Sequence, residues 1–227
     1  MSGRHANPSR GRRSTRATER PSRDHALADW TGGMPVFVPQ GYEPGYDYPL
    51  LVWVSDPLGD GVDLARVMPR LSLRNFVAVR ATGGATAVWQ AIDLVASRLS
   101  VHPRRIWLVG HAAAGTEAFR IGCRHPESFA GVVSLGGRFP LDESLFARVA
   151  AVRRMAMLHC CTTADAAANA AHTDRTLRLF HAAGAALAMR IYPDIAPLSR
   201  VMLADVNRWL MEETCGASSA SRAAVAG

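Results

Sequence analysis

Apolar residues arrive along this chain in short dense runs, separated by longer stretches in which they recur every three or four positions. The dense runs are 50–54, 76–80, 106–109, 132–135, 155–160 and 186–191, each bounded by Gly, Pro or charged residues. Runs this short without polar alternation fit strands buried on both faces, as in a parallel sheet. Residues 34–39 fit an antiparallel edge strand leading into it. The stretches 63–71, 86–99, 113–124, 173–183 and 198–211 carry apolar residues at helical spacing. Pro126 follows the third of these and Gly184 the fourth, as expected where helices end. Strand and helix alternate through short connectors. The pattern therefore predicts an α/β fold of three layers, a mostly parallel sheet with helices on both faces and no separate cap domain.

The pattern stops near both ends. Residues 1–30 are rich in Arg, Ser, Pro and Thr and nearly devoid of large apolar side chains. Such a segment cannot bury enough surface to offset its ordering entropy, so a disordered amino-terminal tail is expected. Residues 214–227 read as a flexible carboxyl-terminal tail, which leaves 31–213 as one domain. At 227 residues the chain is long enough for one sizeable core.

Charge changes this picture only locally. The net charge is +7, and residues 1–29 hold seven arginines against Glu19, Asp24 and Asp29, so more than half of the excess sits in the tail. That tail could tether the protein electrostatically to nucleic acid or another acidic surface. All 26 basic residues are arginine, a chain-wide bias that fits a GC-rich bacterial genome as well as it fits phosphate binding. No run approaches the ~18–20 apolar residues of a membrane span. Arg12-Arg13 is not followed by the apolar stretch an export signal needs, so a cytoplasmic protein is expected. Cys123, Cys160, Cys161 and Cys215 show no metal-ligand spacing, and neither a metal nor a cofactor is expected.

In an α/β sheet the chemistry gathers at the carboxyl ends of the strands. The most informative junction is Ile106-Trp107-Leu108-Val109-Gly110-His111-Ala112-Ala113-Ala114-Gly115, a strand running through a tight turn into a helix. A nucleophile elbow of the G-x-S-x-G kind needs small residues two positions either side of its centre, where strand and helix approach closely. Gly110 and Ala114 meet that need, but the centre is Ala112, whose methyl group cannot attack a carbonyl.

With these residues the chain resembles the α/β-hydrolase superfamily, and within it the phospholipase/carboxylesterase and dienelactone-hydrolase branch. The resemblance rests on VFVPQGYEPGYDYPLLVWV at the entry, HPRRIWLVGHAAAGTEAFRIGCRHPESFAGVVSLGG around the elbow, and LRLFHAAGAALAMRIYPD with ADVNRWLM at the end. It implies a small ester-like ligand and a Ser-His-Asp triad. Carried over residue by residue, the triad positions are Ala112 for the nucleophile, Asp165 for the acid and Pro197 for the base. The backbone donors of the oxyanion hole would be Ala113 and a residue of the Ser55-Asp56-Pro57-Leu58-Gly59-Asp60 segment. In one of two registers that second donor is Pro57, which has no N–H.

Three departures thus fall on one constellation, and a fold that has lost serine-hydrolase activity and acts in binding or assembly is the leading expectation. Two alternatives remain. One is an active hydrolase with a non-standard centre that uses His111 as substitute base or nucleophile, Asp165, or a thiol of Cys160 or Cys161. The other is an interaction protein docked through its arginine tail. Asp165 could equally serve as a helix-capping or loop-anchoring residue.

Overall fold

The structure is a computed structural model that describes residues 27–30, 33–57, 61–193 and 197–216. The expectations for residues 1–26, for Leu58-Gly59-Asp60 and for residues 217–227 lie outside the described residues. Within the described residues eight strands form one sheet: β1 (Leu27–Trp30), β2 (Met34–Phe37), β3 (Tyr48–Ser55), β4 (Val77–Thr82), β5 (Val101–His111), β6 (Gly131–Leu135), β7 (Ala156–Thr162) and β8 (Ala188–Tyr192). Their spatial order is β1-β2-β4-β3-β5-β6-β7-β8. The pairs β1–β2 and β2–β4 are antiparallel, and all others are parallel. Among the described residues seven helices accompany the sheet: α1 (Leu64–Leu71), α2 (Gly84–Ala96), α3 (Ala113–Arg124), α4 (Val149–Val152), α5 (Thr163–Ala168), α6 (Ala170–Ala183) and α7 (Arg200–Thr214).

The dense apolar runs are strands because both of their faces are covered. On β3, Leu50, Val52 and Val54 join the core under α2, α3 and α6, whereas Leu51 and Trp53 join the core under α1 and α7. Both cores are anchored by aromatic rings. Trp107 of β5 meets Trp209 of α7 edge to face at 5.5 Å. On the other side Phe139 contacts Phe119, Phe146 and Phe180 with centroids 4.9 to 5.8 Å apart. The three-layer α/β architecture is as the pattern predicts.

Differences from the sequence expectation lie at element ends and in short pieces. Leu27–Trp30 pairs with β2, inside the stretch assigned to the amino-terminal tail. β5 starts at Val101, five residues before its apolar run, and α7 continues through Thr214, where the flexible end was expected to begin. The helices α4 and α5, of four and six residues, are too short to show a period.

After β3 the chain moves outward to β4 and returns to β5 on the other side of β3. That reversal opens a crevice at the carboxyl ends of β3 and β5, where ligands of open α/β sheets bind.

Candidate functional site

The turn between β5 and α3 is tight and takes an unusual backbone conformation at Ala112. Ala112 adopts φ 51° and ψ −126°, one of two non-glycine residues with positive φ among those described. Such a conformation costs a residue with a Cβ roughly 1–3 kcal/mol. The surroundings hold it. The Ala112 N–H donates to the Leu135 carbonyl of β6 at 2.9 Å, and its carbonyl accepts from the Gly115 N–H at 2.9 Å. A Cβ on Gly110 would stand 2.1 Å from the Ala114 carbonyl oxygen, and one on Gly137 would stand 2.4 Å from the Ala112 carbonyl oxygen. A Cβ on Gly115 would meet the Ser134 Oγ at 2.5 Å. Strand, helix and following loop are interlocked through three glycines, so the turn has not relaxed.

Ala112 and Ala113 are exposed and open on a cleft of about 620 Å³. Val54 and Ser55 at the end of β3, Val62, Asp63, Arg66 and Val67 before and within the first turn of α1, His111 and the segment Pro197-Leu198 line it. Ala112 and Pro197, which the resemblance maps to the nucleophile and base positions, both line this cleft. Leu198 is the other non-glycine residue with positive φ, 55°, so both such residues line this space. Pro57 and Ala113 line an adjoining cavity of about 300 Å³ with Asp56, Gly84, Glu117 and Arg120. Only Gly83 separates β4 from α2, consistent with the short connector read from the sequence.

Asp165 lies elsewhere. It lines a separate cavity of about 30 Å³, space for little more than one water, together with His159, Cys161 and His172. Its carboxylate is engaged in a capping box. The Thr162 hydroxyl donates to Asp165 Oδ2 at 2.9 Å, the Thr162 N–H donates to the same oxygen at 3.4 Å, and the Asp165 N–H donates back to Thr162 Oγ1 at 3.1 Å. The nearby imidazole is that of His159, whose Nδ1 is buried without a partner. Burial pushes the His159 pKa below the usual histidine value, with Asp165 pulling upward and His172 pushing downward. Among the described residues no group of three or more His, Cys, Asp or Glu is placed to hold a metal.

The two strand thiols are poorly placed as nucleophiles. Burial pushes the Cys160 thiol up to about 12 and raises that of Cys161, which suppresses the thiolate. Ser134 is fully buried and donates to the Gly137 carbonyl at 2.8 Å, a bond that supports the elbow from behind. His111 is half-buried beside Ala112, and burial lowers its pKa, so it stands neutral at neutral pH. Ser55, Arg66, Arg70 and Leu198 line the cleft as well. For Ser55 the sequence did hold a signal, a hydroxyl immediately after an unbroken apolar strand, where functional residues of α/β sheets concentrate. For Arg66, Arg70 and Leu198 it held none.

Solved structures of several esterases share this architecture. A ferulic acid esterase aligns over 79% of this chain and 92% of its own, with a TM-score of 0.62 and 15% identity. The S-formylglutathione hydrolase FrmB from Staphylococcus aureus aligns over 79% and 91%, at TM-score 0.55 and 9% identity. A mutant of the feruloyl esterase module from Clostridium thermocellum, alanine replacing serine, complexed with sinapinate, aligns over 78% and 81% at TM-score 0.57 and 12% identity. No family model and no curated protein matches the sequence. The chain shares the α/β-hydrolase fold of these structures, and at these identities the likeness concerns the fold alone.

Proposed function

We propose that this protein is a catalytically degenerate α/β-hydrolase that binds a small ester- or acid-like ligand in the cleft in front of Ala112 and does not hydrolyse it. One observation carries the reading: the elbow retains its strained φ and its interlocked glycines, yet presents a methyl group where an oxygen would have to attack. The rest of the site agrees. Pro197 cannot accept a proton, and Asp165 caps α5 instead of orienting an imidazole over the cleft. Loss of the nucleophile or base alone costs a serine hydrolase about 10⁶ in turnover, roughly 8 kcal/mol of barrier. A retained cleft with lost chemistry favours binding, and the sinapinate-bound neighbour, itself carrying an alanine for a serine, is compatible with ligand capture by this fold.

The test is direct. Purified protein incubated with short-chain p-nitrophenyl esters should show no turnover above a heat-inactivated control, and a fluorophosphonate probe should not label it. Ala112→Ser should leave turnover undetectable as well, because Pro197, which stands at the mapped base position, cannot take the proton. Turnover by the unaltered protein, with a pH-rate profile that reports a single base and is lost in His111→Ala, would establish a non-standard hydrolase instead.

A further inference from the structure

The floor of the cleft carries hydrogen-bond donors that have nothing to bond. In the first turn of α3, a helix of 12 residues, the N–H groups of Ala113 and Ala114 lack intrahelical acceptors. No side chain caps this helix, and the next N–H, that of Gly115, is already taken by the Ala112 carbonyl. A second and independent observation comes from β3. Ser55 is 4% exposed, its Oγ has no hydrogen-bond partner, and it lines both the cleft and the adjoining cavity. Alternation along β3 puts Ser55 on the α1 side of the sheet with Leu51 and Trp53, the side on which Val62, Asp63 and Val67 wall the cleft. Buried hydroxyls are rarely left unpaired without a reason.

These donors line the same cleft and share its electrostatic character. The amino end of α3 carries the positive end of the helix dipole and is a natural anion site. The alanine at residue 112 places no oxygen of the protein's own before them. Arg66 and Arg70, one turn apart on α1, stand on the same cleft wall. Of the acidic residues there, Asp63 is already engaged, its Oδ1 accepting from the Ala65 N–H at 2.9 Å and its Oδ2 facing Arg66 at 3.9 Å. Asp56 sits exposed at the rim.

We propose that the ligand is a small organic carboxylate, held as a stable anion by the N–H groups of Ala113 and Ala114 and by the Ser55 hydroxyl, which selects it. Two oxygens of a carboxylate can use backbone and hydroxyl donors together, whereas a neutral ester offers one carbonyl oxygen and no charge. This deepens the binding role assigned to the cleft and rests on it.

The experiment titrates the full ¹⁵N-labelled chain with sodium butyrate, methyl butyrate and inorganic phosphate, following the amides of Ala113 and Ala114. Butyrate should move both amides downfield in a saturable way, with methyl butyrate neither bound comparably nor hydrolysed. Ser55→Ala should weaken butyrate about tenfold without lowering the unfolding midpoint, since it removes an unpaired buried hydroxyl. The exposed pair Arg66→Ala with Arg70→Ala should weaken it less, and in a salt-dependent manner. Amides unmoved at millimolar butyrate, or unchanged affinity in Ser55→Ala, would overturn the carboxylate site. Tighter binding of phosphate would overturn the choice of anion. Equal binding of the methyl ester would sink it too, while leaving the cleft as a binding site. Hydrolysis of the ester would strike instead at the loss of activity.

Discussion

Ala112 concentrates the residue-scale questions. Its φ of 51° with ψ of −126° lies where glycine is at ease and any other residue is strained. Ala112→Gly should therefore raise stability by about 0.5–1 kcal/mol, the relief of strain exceeding glycine's added unfolded-state entropy. Urea unfolding would read this as a higher midpoint at constant slope. A lower midpoint would mean that the turn stores no strain. Gly110 behaves oppositely, because its missing Cβ is the space occupied by the Ala114 carbonyl. Gly110→Ala should cost at least about 2–3 kcal/mol, since backbone on both sides would have to move. The small residue at 110 was legible in the sequence as part of an elbow pattern. The strain at Leu198 was not, because leucine has no local signature for positive φ.

At the scale of elements, α5 decides how Asp165 is understood. The acid was readable in the sequence both as a triad member and as a helix-capping residue, and six residues show no period that could favour either. In the structure the Thr162–Asp165 capping box accounts for its carboxylate. Asp165→Ala should lower stability by about 1 kcal/mol by removing half of that box, while Asp165→Asn, which keeps an acceptor for the Thr162 donors, should lose much less. Thermal unfolding of both variants would check this. Equal losses would point to the negative charge, felt by His159 across the small cavity, as the contribution that matters. The longer elements were legible because apolar spacing is a local property. Their ends moved by a few residues where backbone pairing, as at β5, extends beyond the apolar run.

The whole molecule adds a dependence on pH. His159 and His111 both have pKa values lowered by burial, so the folded state takes up protons less readily than the unfolded chain. Above the ordinary histidine value of about 6.5 neither state is protonated there, and these groups leave stability unchanged. As pH falls below it, the unfolded chain binds protons first and stability declines until the folded-state pKa is passed. Urea midpoints should fall as pH drops below about 6.5, and His159→Phe should flatten that fall. A slope unchanged by the substitution would assign it to other groups. His159 faces Asp165 and His172 as well as Phe119, so the aromatic replacement preserves the packing while removing the titration.

Sequence alone determined the layered α/β architecture, the position of the elbow and the absence of a hydroxyl at its centre. Each of these is written in residue identity and in spacing along a few neighbouring positions. Only the tertiary structure decided that Ala112 and Pro197 share a cleft while Asp165 faces another cavity, and that Ser55 ends its strand with an unanswered hydroxyl. Those facts depend on which strands lie side by side and on where the chain reverses between β4 and β5. Distances between residues far apart in sequence come into being when the sheet closes, and no local pattern encodes them.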